Sequence, residues 1–268
     1  MKRWLVLVLA LAAAPAPALD LQGHRGAPVA RREGAGGQAA GALLSREHPL
    51  VRPRDRQAHR VMMRALVAML ALVAAPALGL DLQGHRGARG LLPENTLASF
   101  QRALEVGVTT LELDIAITKD GVLAVYHDRT LNPDITRDAA GRFIDAPGPA
   151  IHTLTWAQLQ TYDVGRIKPG TNYARNFADQ QPMDGTRIPR LSDLFDLVKR
   201  SGDERVRFAI ETKLHPEKPE DTLAPEPFAR AVVDEIRKAG MAARSQILSF
   251  DWRTLQVVQK IAPVIQTV

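Results

Sequence analysis

The order of apolar runs in residues 80–128 constrains the fold of this chain more than any other feature. LDLQGHRG at its start predicts a strand that ends in a glycine-flanked turn, and PENT at 93–96 predicts a helix start. A β-branched strand over Thr110–Thr118 follows, and the KDG turn at 119–121 leads into the strand VLAVYH. Polar residues fall at the strand ends, which is where a barrel places its chemistry.

Alternating helices and strands continue toward the C-terminus. The pattern predicts a helix at Leu191–Arg200, a strand at Arg205–Lys213, a helix at Pro227–Gly240, a strand at Ser245–Phe250, a helix at Trp252–Ala262, and the beginning of a strand in PVIQTV. Such alternation indicates a largely parallel sheet with crossover helices. We therefore predict an α/β fold of the TIM (β/α)₈-barrel type, incomplete, with about six strands from Leu80 onward.

Residues 129–189 interrupt this alternation. The segment is long and polar, and it contains one short helical stretch at Thr155–Thr161. A connection of this length inside a compact domain is usually functional or an insertion.

The N-terminal part of the chain contains a duplicated segment. Residues 1–18 have the basic start, apolar run and small residues of a secretory signal peptide, and residues 1–27 match 62–88 at 20 of 27 positions. Residues 62–79 are therefore a second signal-like segment. Residues 19–61 form either a disordered linker with a stray copy of the motif or, as we prefer, an upstream start joined to the natural one. We expect a secreted or periplasmic protein whose barrel occupies 80–268.

The charge balance argues against nucleic-acid binding. Residues before 80 carry 11 Lys and Arg against 4 Asp and Glu, whereas the remainder carries 24 against 25, so the net charge of +6 belongs to the N-terminal part. The chain has no cysteine. Any metal must therefore be bound by oxygen and imidazole, which favours Mg²⁺ or Ca²⁺ over zinc.

Three carboxylates are candidate metal ligands. Glu112 and Asp114 are two residues apart on one strand and share a face, and Glu211 lies on a later strand. Carboxylates gathered in a barrel lumen repel one another and lose hydration, and a divalent cation relieves both costs. The alternative is that one faces solvent, or that each pairs with Arg or Lys.

Two histidines and two basic residues complete the candidate site. His85 and His127 end the first and third strands, where they could act as general acid and general base, although a lone barrel histidine is more often structural. Arg86 and Lys213 could neutralise a phosphoryl group. Trp252 follows a strand end and could border the pocket, but we expect it to pack in the core.

Taken together, these motifs resemble the glycerophosphodiester phosphodiesterase family of the phospholipase C-like phosphodiesterases. The motifs are His85-Arg86-Gly87, PENT at 93–96, Glu112-x-Asp114, TKDG at 118–121, His127-Asp128 and Glu211-x-Lys213, and the match covers about residues 80–268. The resemblance implies a TIM-barrel hydrolase that cleaves glycerophosphodiesters to glycerol 3-phosphate and an alcohol.

The resemblance also implies a role for each candidate residue. Glu112, Asp114 and Glu211 would bind a divalent cation, Ca²⁺ or Mg²⁺. His85 and His127 would act as the acid and base. Arg86 and Lys213 would hold the phosphate of the small-molecule substrate. No stable membrane span is expected once the signal segment is removed.

One departure from the family pattern concerns length. A full barrel needs about 250 residues, whereas 189 follow from Leu80 onward, about two strand–helix units short. We expect an open barrel that folds poorly and is weakly active or inactive. Two alternatives stay open: a phospholipase C- or D-like enzyme of the same fold acting on intact lipid, and an inactive metal- or ligand-binding remnant.

Overall fold

The computed structural model describes residues 60–65 and 80–268, and the chain divides into two units, Met1–Ala74 and Ala75–Val268. In the first unit, residues 60–65 are helical and exposed. The remainder of the two signal-like segments and of the linker lies outside the described residues, so their assignment stays a prediction. Within the described residues, we find no helix with the length and apolar character needed to cross a membrane.

Six strands of the second unit form one sheet. They are β1 Gln83–His85, β2 Thr110–Ile117, β3 Leu123–Val125, β4 Arg207–Thr212, β5 Ser245–Leu248 and β6 Gln266–Thr267. The order is β1-β2-β4-β5-β6 with parallel pairing throughout, and β3 pairs antiparallel with β2. The predicted α/β class and strand number are confirmed. The described strands form an open sheet rather than a closed barrel.

Six α-helices connect or flank these strands in residues 80–268. They are α1 Leu97–Val106, α2 Trp156–Leu159, α3 Asn172–Asn176, α4 Leu191–Ser201, α5 Pro225–Ala239 and α6 Trp252–Ile261. Short 3₁₀ helices occupy Ile151–Thr153, Pro219–Asp221 and Ala242–Arg244. Every helix predicted from the sequence is present, and α3 is the one that the sequence did not predict.

Local sequence signals explain where α1 and α4 begin, end and pack. In α1, the Thr96 side chain accepts a hydrogen bond from the Ser99 N–H, and Gly107 ends the helix at a φ of 89°. In α4, the apolar positions at helical spacing are all buried, namely Leu191, Leu194, Phe195 and Val198. Phe195 packs edge-on against Phe208 of β4 with ring centroids 5.0 Å apart. Each such burial contributes about 1.5–3 kcal/mol.

The segment between β3 and α4 differs from the long polar connection that the sequence predicted. It is not simply a polar connection, because its apolar residues form a second cluster together with residues of β2 and β3. The buried members are Ala116, Ala124, Tyr126, Leu131, Ile135, Ile151, Leu159, Val164 and Ile188. Its apolar residues are scattered without helical or strand periodicity, so the pattern gave no signal. We call residues 129–190 the insertion.

The turn after β1 requires glycine at position 87. Gly87 has a φ of +81°, and a Cβ atom there would lie 2.6 Å from the Ser99 Oγ and 2.8 Å from its backbone carbon. Gly87→Ala is therefore expected to lower the free energy of unfolding by about 2–4 kcal/mol, from left-handed strain and the clash. Denaturant unfolding measures the loss.

Gly90→Ala is the matched control for this prediction. A Cβ atom at Gly90 would meet no other atom within 4 Å, so the variant should unfold at the wild-type denaturant concentration. Equal stability of the two variants would contradict the packing argument at Gly87.

Candidate active site

Three carboxylates converge at the carboxyl edge of the sheet. Asp114 on β2 lies in register with Glu211 on β4, and Glu112 lies in register with His85 on β1. One oxygen from each of Glu112, Asp114 and Glu211 lies within 4.8 Å of the other two. The parallel register thus gathers the three residues that the sequence singled out as metal ligands.

Without a cation, holding these three carboxylates together costs electrostatic free energy, and the surroundings of Glu112 show this. Burial and the neighbouring Asp114 charge raise the pKa of Glu112 to about 7. Its Oε2 accepts a 2.8 Å hydrogen bond from the Arg86 backbone N–H, which holds the side chain in place. A buried all-oxygen set of this kind fits a hard divalent cation such as Ca²⁺ or Mg²⁺.

Lys213 lies between two of the carboxylates. Its Nζ is 2.9 Å from Asp114 Oδ1 and 2.6 Å from Glu211 Oε1. The sequence offered pairing with Arg or Lys as the alternative to metal binding, and the structure contains such pairs for Asp114 and Glu211. Within residues 80–268, Glu112 forms no such ion pair with Arg or Lys, and the His85 Nε2 lies 3.8 Å from its Oε2.

Arg86 has an unusual backbone and a buried side chain. Its φ of 54° lies in the left-handed region. Nη1 donates to Glu94 at 3.0 Å, and Nε lies 3.3 Å from Asp114 Oδ2. That second contact is close enough for an ion pair but lacks hydrogen-bond geometry, so the buried Nε has no hydrogen-bond acceptor among the residues that the structure describes. A buried donor left without an acceptor suits an anionic ligand.

Glu94 and Asn95 belong to this site, and sequence reasoning assigned them only to a helix start. The Asn95 Nδ2 donates to Asp114 Oδ2 at 2.9 Å from a backbone with a φ of 54°. Glu94 is buried against Arg86, and burial raises the pKa of its carboxyl group. The helix cap is Thr96. The sequence signal was the adjacent polar pair, which a helix start alone does not require.

His85 lies at the exposed side of the cluster. Its side chain is 56% exposed, and its Nδ1 is 2.9 Å from the Arg89 Nη2. Burial of the ring, together with the charges of Arg89 and Arg86, lowers the pKa of His85. The position is open enough for a substrate to reach the ring.

His127 follows β3 and is oriented by a carboxylate. Its Nδ1 lies 2.6 Å from Asp128 Oδ1, and the Asp128 Oδ2 accepts from Asn132 Nδ2 at 3.0 Å. Burial raises the pKa of Asp128, but the hydrogen bond and charge of His127 outweigh it, and the pKa is lowered. The pairing orients the ring, and among the described residues the side-chain hydrogen bond of His127 involves Nδ1 and not Nε2.

The expectation that Trp252 packs in the core is wrong. Trp252 is 74% exposed, and Phe250 just before it is 91% exposed. Both lie immediately beyond β5, whose Leu248 is in register with Glu211. Two large aromatic side chains therefore face solvent just beyond the strand end nearest the carboxylates.

A parallel sheet with charged and polar residues at the carboxyl ends of its strands places the protein in the class of α/β proteins related to TIM barrels. The model of the Glycerophosphoryl diester phosphodiesterase family matches residues 85–268. The chain therefore belongs to that family, as its motifs suggested.

Individual relatives agree with this assignment. A glycerophosphodiester phosphodiesterase of Caldanaerobacter subterraneus subsp. tengcongensis is 33% identical over 183 residues, which are 67% of this chain and 61% of that protein. Glycerophosphodiester phosphodiesterase domain-containing protein 5 of Homo sapiens is 28% identical over 185 residues, or 67% of this chain and 29% of that protein. The chain thus spans less than two thirds of the length of either relative.

Solved structures show the same fold. A structure from Silicibacter pomeroyi DSS-3 that carries the family's name has a TM-score of 0.67 and 36% identity over 70% of this chain and 63% of that chain. The structure of the glycerophosphodiester phosphodiesterase of Agrobacterium tumefaciens str. C58 has a TM-score of 0.51 and 27% identity, over 70% of this chain and 66% of that chain. These similarities confirm the predicted fold family.

Proposed function

We propose that the protein hydrolyses glycerophosphodiesters to glycerol 3-phosphate and an alcohol with the help of a divalent cation. The observation that carries the proposal is the convergence of Glu112, Asp114 and Glu211 beside His85. The names of the relatives support the substrate class. Membership of the family supports the reaction class.

The roles of the residues follow from their surroundings. Glu112, Asp114 and Glu211 would hold the cation, which when bound supplies Lewis-acid polarisation of a phosphoryl oxygen and activation of a hydroxyl nucleophile. Arg86, whose buried Nε donates no hydrogen bond to any described residue, would neutralise phosphoryl charge. Lys213 pairs with Asp114 and Glu211 and would be close enough to share in phosphate binding.

The two histidines supply the proton transfers. Net hydrolysis consumes one water molecule, so one proton must leave the attacking oxygen nucleophile and one must reach the departing alkoxide. Because Asp128 accepts from the Nδ1 of His127, the Nε2 of the neutral ring carries a lone pair, and His85 has its Nε2 on the side of the carboxylates. The pair can therefore provide a base and a donor.

Release of glycerol 3-phosphate from glycerophosphocholine by the full chain tests the proposal. We expect turnover that stops with EDTA and returns with Ca²⁺ or Mg²⁺, because the buried carboxylates need a cation. Turnover unaffected by EDTA would refute the metal requirement. Metal binding without turnover would instead support the inactive ligand-binding alternative.

An intact phospholipid is the second candidate substrate. The observation in its favour is the exposure of Phe250 and Trp252 beside the site, because a lipid-acting enzyme needs apolar side chains at its entrance. Phosphatidylcholine vesicles offered beside glycerophosphocholine distinguish the two. Faster headgroup release from vesicles would favour the lipid substrate.

We also propose that the protein acts outside the cytoplasm. The signal-like sequences at 1–18 and 62–79 support this location. Fractionation of cells expressing the full chain, with N-terminal sequencing of the exported product, tests it. Recovery of uncleaved chain from the cytoplasm alone would contradict it.

A further inference from the structure

Arg89 links the exposed histidine of the site to the insertion. Its Nη2 lies 2.9 Å from the Nδ1 of His85, four residues earlier in the chain. Its own side chain is largely buried. None of the motifs that pointed to the chemistry includes this residue.

The chemistry of the contact fixes the state of the imidazole. A guanidinium group has five N–H donors, no acceptor, and stays charged at all working pH values. The His85 Nδ1 must therefore accept the hydrogen bond, so it carries no proton. A neutral His85 then has its proton on Nε2, the ring nitrogen that lies 3.8 Å from Glu112 Oε2.

The insertion holds Arg89 from the other side. Its guanidinium lies over the Phe177 ring at 4.5 Å from the centroid, and the Gln180 Nε2 donates to its backbone oxygen at 2.8 Å. Glu94 lies 3.9 Å from the guanidinium and accepts a hydrogen bond from Tyr173 of α3. The arginine thus contacts His85 on one side and is held on the other by Phe177 and Gln180, which are distant in sequence.

We propose that Arg89 is a positioning residue that holds His85 in its Nε2–H tautomer, and that α3 and the residues after it hold Arg89. Its catalytic part rests on the proposed function. His127 is held in the opposite manner, because Asp128 accepts from its Nδ1. The two neutral rings therefore present different atoms to the substrate, a hydrogen-bond donor on His85 and a lone pair on His127.

The proposal accounts for the insertion as a support for the site. An imidazole exposed at 56% would otherwise exchange tautomers and rotate freely. The donor-only guanidinium allows one tautomer, and its stacking on Phe177 fixes the direction from which it donates. Residues that touch no substrate would thereby set which nitrogen of His85 does the chemistry.

Nitrogen-15 NMR of the histidine side chains in the full chain tests this directly. Spectra are recorded at a pH of about 8.5, where an ordinary imidazole is neutral, and His85→Asn identifies the His85 signals. We expect wild-type His85 as the Nε2–H tautomer and Arg89→Met as a mixture of both. A wild-type His85 protonated on Nδ1, or an unchanged tautomer in Arg89→Met, would overturn the proposal.

Kinetics give a second readout. Because Arg89 acts through His85, Arg89→Met should lower kcat about 10–100-fold with little change in KM, and Arg89→Lys, which can still donate, should recover part of the loss. Arg102→Met is the matched control, since Arg102 pairs with Glu105 on the exposed side of α1, and its kcat should equal that of wild type. A raised KM at unchanged kcat in Arg89→Met would overturn the positioning role.

Two further comparisons separate the possible failures. Thermal unfolding of each variant shows whether Arg89→Met is folded, and Arg89→Lys carries the test if it is not. If the wild-type chain hydrolyses no glycerophosphodiester while its His85 shows the expected tautomer, the proposed function fails and the tautomer assignment stands.

Discussion

His85→Ala and His127→Ala should each lower the rate of glycerophosphodiester hydrolysis by about 10²–10⁴-fold. The loss should fall on kcat, because each ring is expected to move a proton during the reaction rather than to bind the ground state. Neither ring is part of the apolar core, and both side chains are at least partly exposed. Both variants are therefore expected to unfold at close to the wild-type temperature.

His152→Ala is the matched control for these two variants. His152 lies on the 3₁₀ helix of the insertion and has no assigned part in the chemistry. Its kcat should stay within about twofold of wild type, as expected of a residue away from the reacting atoms. Full activity in either His85→Ala or His127→Ala would remove that histidine from the mechanism.

Glu112→Gln should abolish both metal binding and turnover while leaving the fold intact. The amide is isosteric, and its oxygen can still accept from the Arg86 N–H. The neutral amide of the Gln side chain, however, contributes no negative charge to cation binding. The affinity for Ca²⁺ or Mg²⁺ should fall at least about 100-fold. Changing a residue that only supports a metal ligand already costs up to about 100-fold, and Glu112 is proposed to be a ligand itself. Calorimetric titration measures it.

Thermal unfolding offers an independent check on the metal. A ligand that binds only the folded state at about 100 times its Kd adds about 2.7 kcal/mol, so the cation should raise the Tm of wild type and not that of Glu112→Gln. Asp196→Asn, which changes an exposed carboxylate on α4, should respond as wild type does. A metal-induced shift preserved in Glu112→Gln would exclude Glu112 from the ligand set.

The pH dependence of stability has a definite sign at Glu112. Its pKa is raised from 4.5 to about 7 in the folded, metal-free protein. The proton is therefore held more tightly when folded, and the stability it contributes below pH 4.5 is lost as the pH rises to about 7. In EDTA above that pH, Glu112→Gln should be at least as stable as wild type, and a less stable variant would contradict the raised pKa.

Periodicity alone could predict much of this fold and part of the site. Glu112 and Asp114 alternate with Leu111, Leu113 and Ile115 on the eight-residue strand β2, so a spacing of two is enough to place them on one face. Glu211 and Lys213 repeat that spacing, and parallel pairing brings the two pairs together. The helices from α4 onward follow from apolar residues at helical intervals.

The remaining features depend on contacts that have no local signature. Arg89 meets Phe177 and Gln180 across a long stretch of sequence, and Asn95 meets Asp114 through a left-handed backbone conformation. The insertion cluster is assembled from apolar residues without regular spacing. The position of Trp252 after a strand end is compatible with either packing or a place at the pocket, so the sequence could not decide between them, and Trp252 is 74% exposed.

The burial of β2 on both faces determines how precisely the carboxylates of Glu112 and Asp114 are oriented. Leu111, Leu113 and Ile115 alternate with the two carboxylates and belong to the main apolar core. A slip of one residue would exchange the faces and place both charges among apolar side chains. The packing of Leu111, Leu113 and Ile115 thus fixes the direction in which the two carboxylates point. Substitutions that weaken the packing of this apolar face should make the carboxylates less precisely oriented, and so lower the proposed activity, without changing any group that a substrate could contact.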